Sequence, residues 1–253
     1  MPFTISHASI VIPLNRKPFI LSALIIGSFS PDFSYFITGL PFANISHSIS
    51  GIFLFSLPFG IIFYLIFHFF IVKAFLTILT SDLKNSFLLI HSYPSLNIKN
   101  IFWVIVSILT GITSHLIWDS FTHKTGPAVL HFNFLTYPLF DFFDETIFTY
   151  KLLQYLSTII GGFIFALWAF RKIVSTEISL LMLNYLKKYI LFFIFLIVIS
   201  GFAGIIYGSS WLENSGFKAF VVKTVVGSVS VFSLLILLLA TYLNLKSSIK
   251  FKK

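Results

Sequence analysis

Long apolar runs separated by short polar breaks set the pattern of this chain. A membrane-crossing helix needs about 20 apolar residues. Six stretches approach or reach that length: 19–38, 49–72, 101–119, 152–170, 189–208 and 220–244. The pattern predicts an all-α, multi-pass transmembrane helix bundle of about six spans. The first stretch is the weakest, because Ser30-Pro31-Asp32 interrupts it and Pro31 cannot continue an undisturbed helix. Pro58 predicts a kink in the second. Gly161-Gly162 in the fourth, and Gly201 and Gly204 in the fifth, predict close helix approach.

Composition agrees with this reading. The chain is 57% hydrophobic and 10% charged, against roughly 25% charged residues in a soluble domain. That is too few charges to cover a water-facing surface. The absence of cysteine excludes disulfides and thiolate metal sites, so any metal must be held by His, Asp or Glu. The opening MPFTISH has no basic segment ahead of its apolar residues, and no cleaved signal peptide is expected.

The net charge of +9 does not call for nucleic acid, since Lys and Arg mark the cytoplasmic side of a membrane protein. With six spans and the N-terminus inside, thirteen basic residues fall on the cytoplasmic face and Lys124, Lys151, Lys218 and Lys223 on the other. This division places both termini in the cytoplasm. It also gathers Asp32, His47, His115, Asp119, His123, Asp141, Asp144 and Glu145 on the extracytoplasmic face, although none of them was used to draw the spans.

Polar chemistry is concentrated early. All seven His lie in residues 1–131 and six of the eight acids in residues 1–145. The expected division is a metal-site helical domain, 1–150, and a C-terminal transmembrane anchor bundle, 151–253. Within the first, His115, Asp119 and His123 recur at intervals of four, the spacing that stacks side chains on one helix face. Ionisable groups in spans are functional by default, and His with carboxylate suits a divalent ion. The alternative is an interfacial His–Asp hydrogen bond that ends the helix. Asp32 is a charge inside an apolar run; as a turn residue it would need no further role. His47 precedes a helix that Ser46 or Ser48 is placed to cap. His7 joins the group only if residues 3–15 form a short helix that does not span. His68 reads as a helix contact, and His91 and His131 as loop residues. PLFDFFDETIF, carrying Asp141, Asp144 and Glu145, reads as an interfacial aromatic segment, with a carboxylate lid as the sharper alternative.

The segments MPFTISHASIVIPL, SALIIGSFSPDFSYF, HSISGIFLFSLPFG and TGITSHLIWDSFTH resemble a bacterial membrane family, domain of unknown function 4184. More distantly, the order His7, Asp32, His47, His115-x-x-x-Asp119 is similar to membrane-bound metal-dependent hydrolases of the YdjM type and to the zinc-dependent phospholipase C fold. That likeness implies Asp32, His47, His115 and Asp119 as first ligands, His7 as an extra one, and zinc as the ion. The chain departs from those soluble enzymes in its transmembrane spans and in lacking a clean downstream His and Glu pair.

The leading functional expectation is a membrane-embedded metal-dependent hydrolase acting on an ester or phosphodiester, with Asp32 or Asp119 orienting water. Membrane lipids are the expected partners, and a lipid or lipid-linked molecule the expected substrate. The alternatives are an ion-binding or transporter-like protein, which predicts ionisable groups in matching halves of the bundle, and a metal-stabilised protein without turnover.

Overall fold

The computed structural model describes residues 4–38, 46–79, 97–142, 145–174 and 180–250. His91, Asp144 and the Lys84 segment lie outside these. The described helices, in chain order, are α1 (Thr4–Val11), α2 (Leu21–Phe29), α3 (Phe33–Thr38), α4 (Ile49–Leu76), α5 (Ile98–Thr122), α6 (Pro127–His131), α7 (Thr149–Val174), α8 (Leu180–Ser209) and α9 (Leu212–Lys250). Between α6 and α7 lie two antiparallel strands, β1 (Pro138–Phe142) and β2 (Glu145–Phe148). The fold is an all-α, multi-pass membrane architecture with no sheet core.

Among the described residues, five helices are long and apolar enough to cross a membrane: Ile49–Leu76, Ile98–His131, Thr149–Lys172, Tyr189–Ser209 and Ser215–Ser248. They correspond to five of the six expected spans. The remaining one, 19–38, is a shorter apolar helical segment, Leu21–Ile37. A 3-10 turn at Ser30–Asp32 breaks it, as Pro31 requires: a residue without an N–H cannot join the ladder to the preceding turn. Pro58 lies two residues after a π-helical stretch, Ile52–Ser56, whose wider turn accommodates it. Residues 3–15 were expected to form a non-spanning helix, and α1 with the 3-10 turn Ile12–Leu14 does so.

By contacts, the chain forms two compact units. The first comprises residues 1–33, 43–64 and 96–176. Its core is Ala23, Tyr64, Val104, Ile108 and Ile112, with α2 packed on α5 and α1 on α7. α2 and α5 touch backbone to backbone: a Cβ on Gly27 would overlap the Ile108 carbonyl, and one on Gly111 the Leu24 carbonyl. The first N–H groups of α2 have no side-chain cap of their own; the Ile20 N–H donates to Ser107 Oγ of α5 at 3.0 Å. Gly161 performs the same service between α7 and Ser6 of α1, whereas a Cβ on Gly162 would meet nothing within 4 Å.

The second unit comprises residues 34–42, 65–95 and 177–253. There α8 packs along α9, with Gly204 against Thr224 and Ser228, while Gly201 faces open space. Ala74 of α4 packs with Ala240 and Leu243. Gly216, at φ 76°, interrupts α9.

Candidate metal centre

Four short-range decisions in the sequence place the site, all within the first unit. In α1, Thr4 and His7 are three residues apart and share a face. Asp32 closes the Ser-Pro-Asp 3-10 turn at the end of α2. His47 immediately precedes Ser48, which caps α4 by accepting from the Gly51 N–H at 3.0 Å. His115 and Asp119 sit one turn apart on α5. Of the two proposed caps, Ser48 serves; Ser46 Oγ instead lies 2.9 Å from His47 Nδ1.

These elements bring five side chains to one point. His115 Nε2 is 3.2 Å from Asp119 Oδ2 and 3.8 Å from Asp32 Oδ1. His47 Nε2 is 3.4 Å from Asp119 Oδ2 and 3.6 Å from Asp32 Oδ1. His7 Nε2 is 3.5 Å from Asp119 Oδ1, and its ring stacks on that of His115 with centroids 3.9 Å apart. His115 is fully buried, and His7 and Asp32 are 1% exposed.

The facing atoms are the ones without hydrogen bonds. His7 Nε2, Asp32 Oδ1, His47 Nε2, His115 Nε2 and both Asp119 carboxylate oxygens are buried and have no hydrogen-bond partner. The outward atoms of His115 and Asp32 are held, whereas Nδ1 of His7 is without a partner as well. His115 Nδ1 lies 2.7 Å from the Ser28 carbonyl oxygen. A carbonyl only accepts, so Nδ1 carries a proton, and in the neutral ring Nε2 presents its lone pair to the cluster. Thr4 Oγ1 donates to Asp32 Oδ2 at 2.6 Å, leaving Oδ1 for the interior. Such outer hydrogen bonds are how ligating side chains are oriented.

The donor set fits a divalent cation. Two groups, His7–His115–Asp119 and Asp32–His47–His115, have ligand atoms within 4.8 Å of one another. Four ligands at 2.0–2.1 Å around a tetrahedral ion are separated by about 3.3–3.4 Å. The four contacts linking Asp32, His47, His115 and Asp119 span 3.2–3.8 Å. Burial, first of all, pushes the His7 imidazole well below its ordinary value; the adjacent His115 adds to this and Asp119 opposes it. His7 is therefore a neutral ring, the form that ligates.

His123 stands beside this group. Its Nδ1 lies 3.1 Å from the Asp119 carbonyl and 3.5 Å from Asp119 Oδ2, and it is the C-cap of α5. It belongs to neither ligand group. His131 is exposed, and His68 is buried beside Phe67. Asp141 accepts from Thr146 across the hairpin at 2.7 Å. Thr4 and Ser28 were not singled out in the sequence, and Ser46 only as a helix cap. The available signal was Thr4 one turn before His7.

The family model described as Domain of unknown function (DUF4184) matches residues 1–241, and the chain belongs to that family. No curated protein and no solved structure matches it.

Proposed function

We propose that the chain is a membrane-embedded, metal-dependent hydrolase acting on an ester or phosphodiester, with a lipid or lipid-linked molecule as substrate. The observation that carries this reading is the convergence of buried, unpartnered nitrogen and oxygen atoms from α1, the Ser30–Asp32 turn, His47 and α5. Buried polar groups without partners cost free energy, and a divalent cation serves lone pairs and carboxylates together. Asp32, His47, His115 and Asp119 would hold it, with His7 as a further ligand and His123 alongside. Zinc suits this nitrogen and oxygen set. The ion would supply Lewis acidity and activate water for hydrolysis. Asp32 or Asp119 would orient that water; both carboxylate oxygens of Asp119 are without hydrogen-bond partners, whereas Oδ2 of Asp32 accepts from Thr4. In this reading the site faces the extracytoplasmic side, and the C-terminus is cytoplasmic.

The test is the metal content of the purified full chain beside His115→Ala, Asp119→Ala and His131→Ala variants. The expected result is one or more equivalents of divalent metal in the wild type and His131→Ala, and loss in the other two. Wild-type protein that holds no divalent metal, even after incubation with zinc, overturns the reading.

A further inference from the structure

Residues 132–148 lie between two of the candidate spans, Ile98–His131 and Thr149–Lys172, joined to the first through the short α6 and running straight into α7. The segment comprises the 3-10 turn Asn133–Thr136 and the hairpin of β1 and β2. Its base is fixed: Leu135 packs with Ala128 and Val129 against Tyr150 and Leu153, and Ile147 is buried. Its outer part is bare. Phe132, Phe134, Tyr137, Leu139, Phe140 and Phe142 are between 42% and 63% exposed.

Successive side chains of a strand point to opposite faces except where a bulge breaks the pairing. β1 has such a break: the register shifts between Pro138 and Phe140. Beyond it, Phe140 and Phe142 share one face, and Asp141, hydrogen-bonded to Thr146, lies on the other. Phe140 and Phe142 are 51% and 60% exposed, so this aromatic face is not covered by a core. A two-stranded hairpin of this kind is marginal in water. An apolar medium against the aromatic face removes the cost of that exposed surface.

We propose that this hairpin and the turn before it insert into the headgroup–acyl boundary of the bilayer that the spans cross, with lipid as the occupant of the Phe140–Phe142 face. The tethers put the segment at the membrane border, and its Phe and Tyr content matches the aromatic belt found there. Asp141 and Glu145 set the depth. Both are exposed, and charge is costly at the bilayer centre, so the hairpin enters only about 5–10 Å, as interfacial elements do. The inference stands independently of the metal site.

The absence of cysteine makes the test direct. Single variants Phe140→Cys and Phe142→Cys of the full chain carry a nitroxide label in phosphatidylcholine vesicles. Collision with oxygen, which partitions into acyl chains, is compared with collision with a water-soluble nickel chelate. Ile159→Cys, 69% exposed on α7, is the lipid reference. The expected result is severalfold greater access to oxygen than to the chelate at both positions. Chelate access equal to oxygen access at either position places that face in water and overturns the proposal. Protection from both reagents, with spin–spin broadening that fades as lipid is added, assigns the surface to a second copy of the chain and also overturns it.

Discussion

His115 Nδ1 meets the Ser28 carbonyl at 2.7 Å, and the contact exists because Gly27 and Gly111 let α2 and α5 touch at the backbone. A Cβ on Gly111 would overlap the Leu24 carbonyl and the Ser28 nitrogen. Gly111→Ala therefore pushes α2, and with it Ser28 and the Asp32 turn, away from His115. Overpacking costs about 1–3 kcal/mol, and backbone atoms cannot rotate aside, so the upper end applies. The expected result is a lower unfolding midpoint in detergent together with loss of bound metal. Gly162→Ala is the control. Its Cβ meets nothing, and alanine gains about 0.5–1 kcal/mol over glycine within a helix. Equal behaviour of the two variants would show that this contact does not position the site.

The parts of the site that follow from local spacing were legible in the sequence. His115 and Asp119 share a face because they are four apart, and Asp32 stood out as a charge inside an apolar run. The first expected span was legible as weak for the reason that breaks it, Pro31. What escaped depends on partners distant in sequence. A backbone carbonyl carries no residue identity, so Ser28 gave no sign of orienting His115. Thr4 reaches Asp32 across 28 residues. Gly27 and Gly162 read alike until the facing helix is known. The hairpin was hidden because PLFDFFDETIF has no Asn-Gly or Asp-Gly turn signal, and the register shift between Pro138 and Phe140 breaks the alternation that marks a strand.

Thr4 tests whether the outer hydrogen bonds orient the ligands. Thr4→Val keeps the shape and removes the donor to Asp32 Oδ2; Thr4→Ser keeps the donor. Losing such a bond costs about 10–100-fold in metal affinity. Competition with a chelator is expected to show that loss for valine, with serine close to wild type. Equal affinities for all three would make the Thr4–Asp32 bond incidental.

His7 gives the metal-free protein a pH-dependent stability with a defined sign. Burial lowers its pKa from the ordinary 6.5, so below that pH the unfolded chain binds a proton at this ring more readily than the folded one. Stability is then lost as pH falls below about 6.5, with a slope of up to about 1.4 kcal/mol per pH unit from this group. With chelator present, thermal unfolding between pH 8 and pH 5 is expected to fall less steeply in His7→Gln than in wild type. Parallel curves would remove His7 as a source of the acid sensitivity.

The basic residues divide thirteen to four, which predicts an extracytoplasmic 120–150 segment and a cytoplasmic 171–188 segment. Single cysteines at Ser120 and Ser175 can be probed in intact cells with a membrane-impermeant thiol reagent. Labelling at 120 and protection at 175 are expected. The reverse pattern would invert the topology and move the site to the cytoplasmic face.

Metal removal provides the strictest check on the cluster. Nitrogen and oxygen atoms of His7, Asp32, His47, His115 and Asp119 are buried with no hydrogen-bond partner in the chain, and a buried polar group left unsatisfied costs about 1–3 kcal/mol. An ion that binds the folded chain alone returns stability by mass action, about 2.7 kcal/mol at a hundredfold excess over its dissociation constant. Zinc added to stripped protein should therefore raise the unfolding midpoint. Asp119→Asn removes the charge shared by four histidines while preserving size, and it should abolish the rise. Asp141→Asn, on the hairpin and hydrogen-bonded only to Thr146 in the described contacts, should leave it intact. An equal rise in all three proteins would mean that zinc stabilises the chain somewhere other than this cluster.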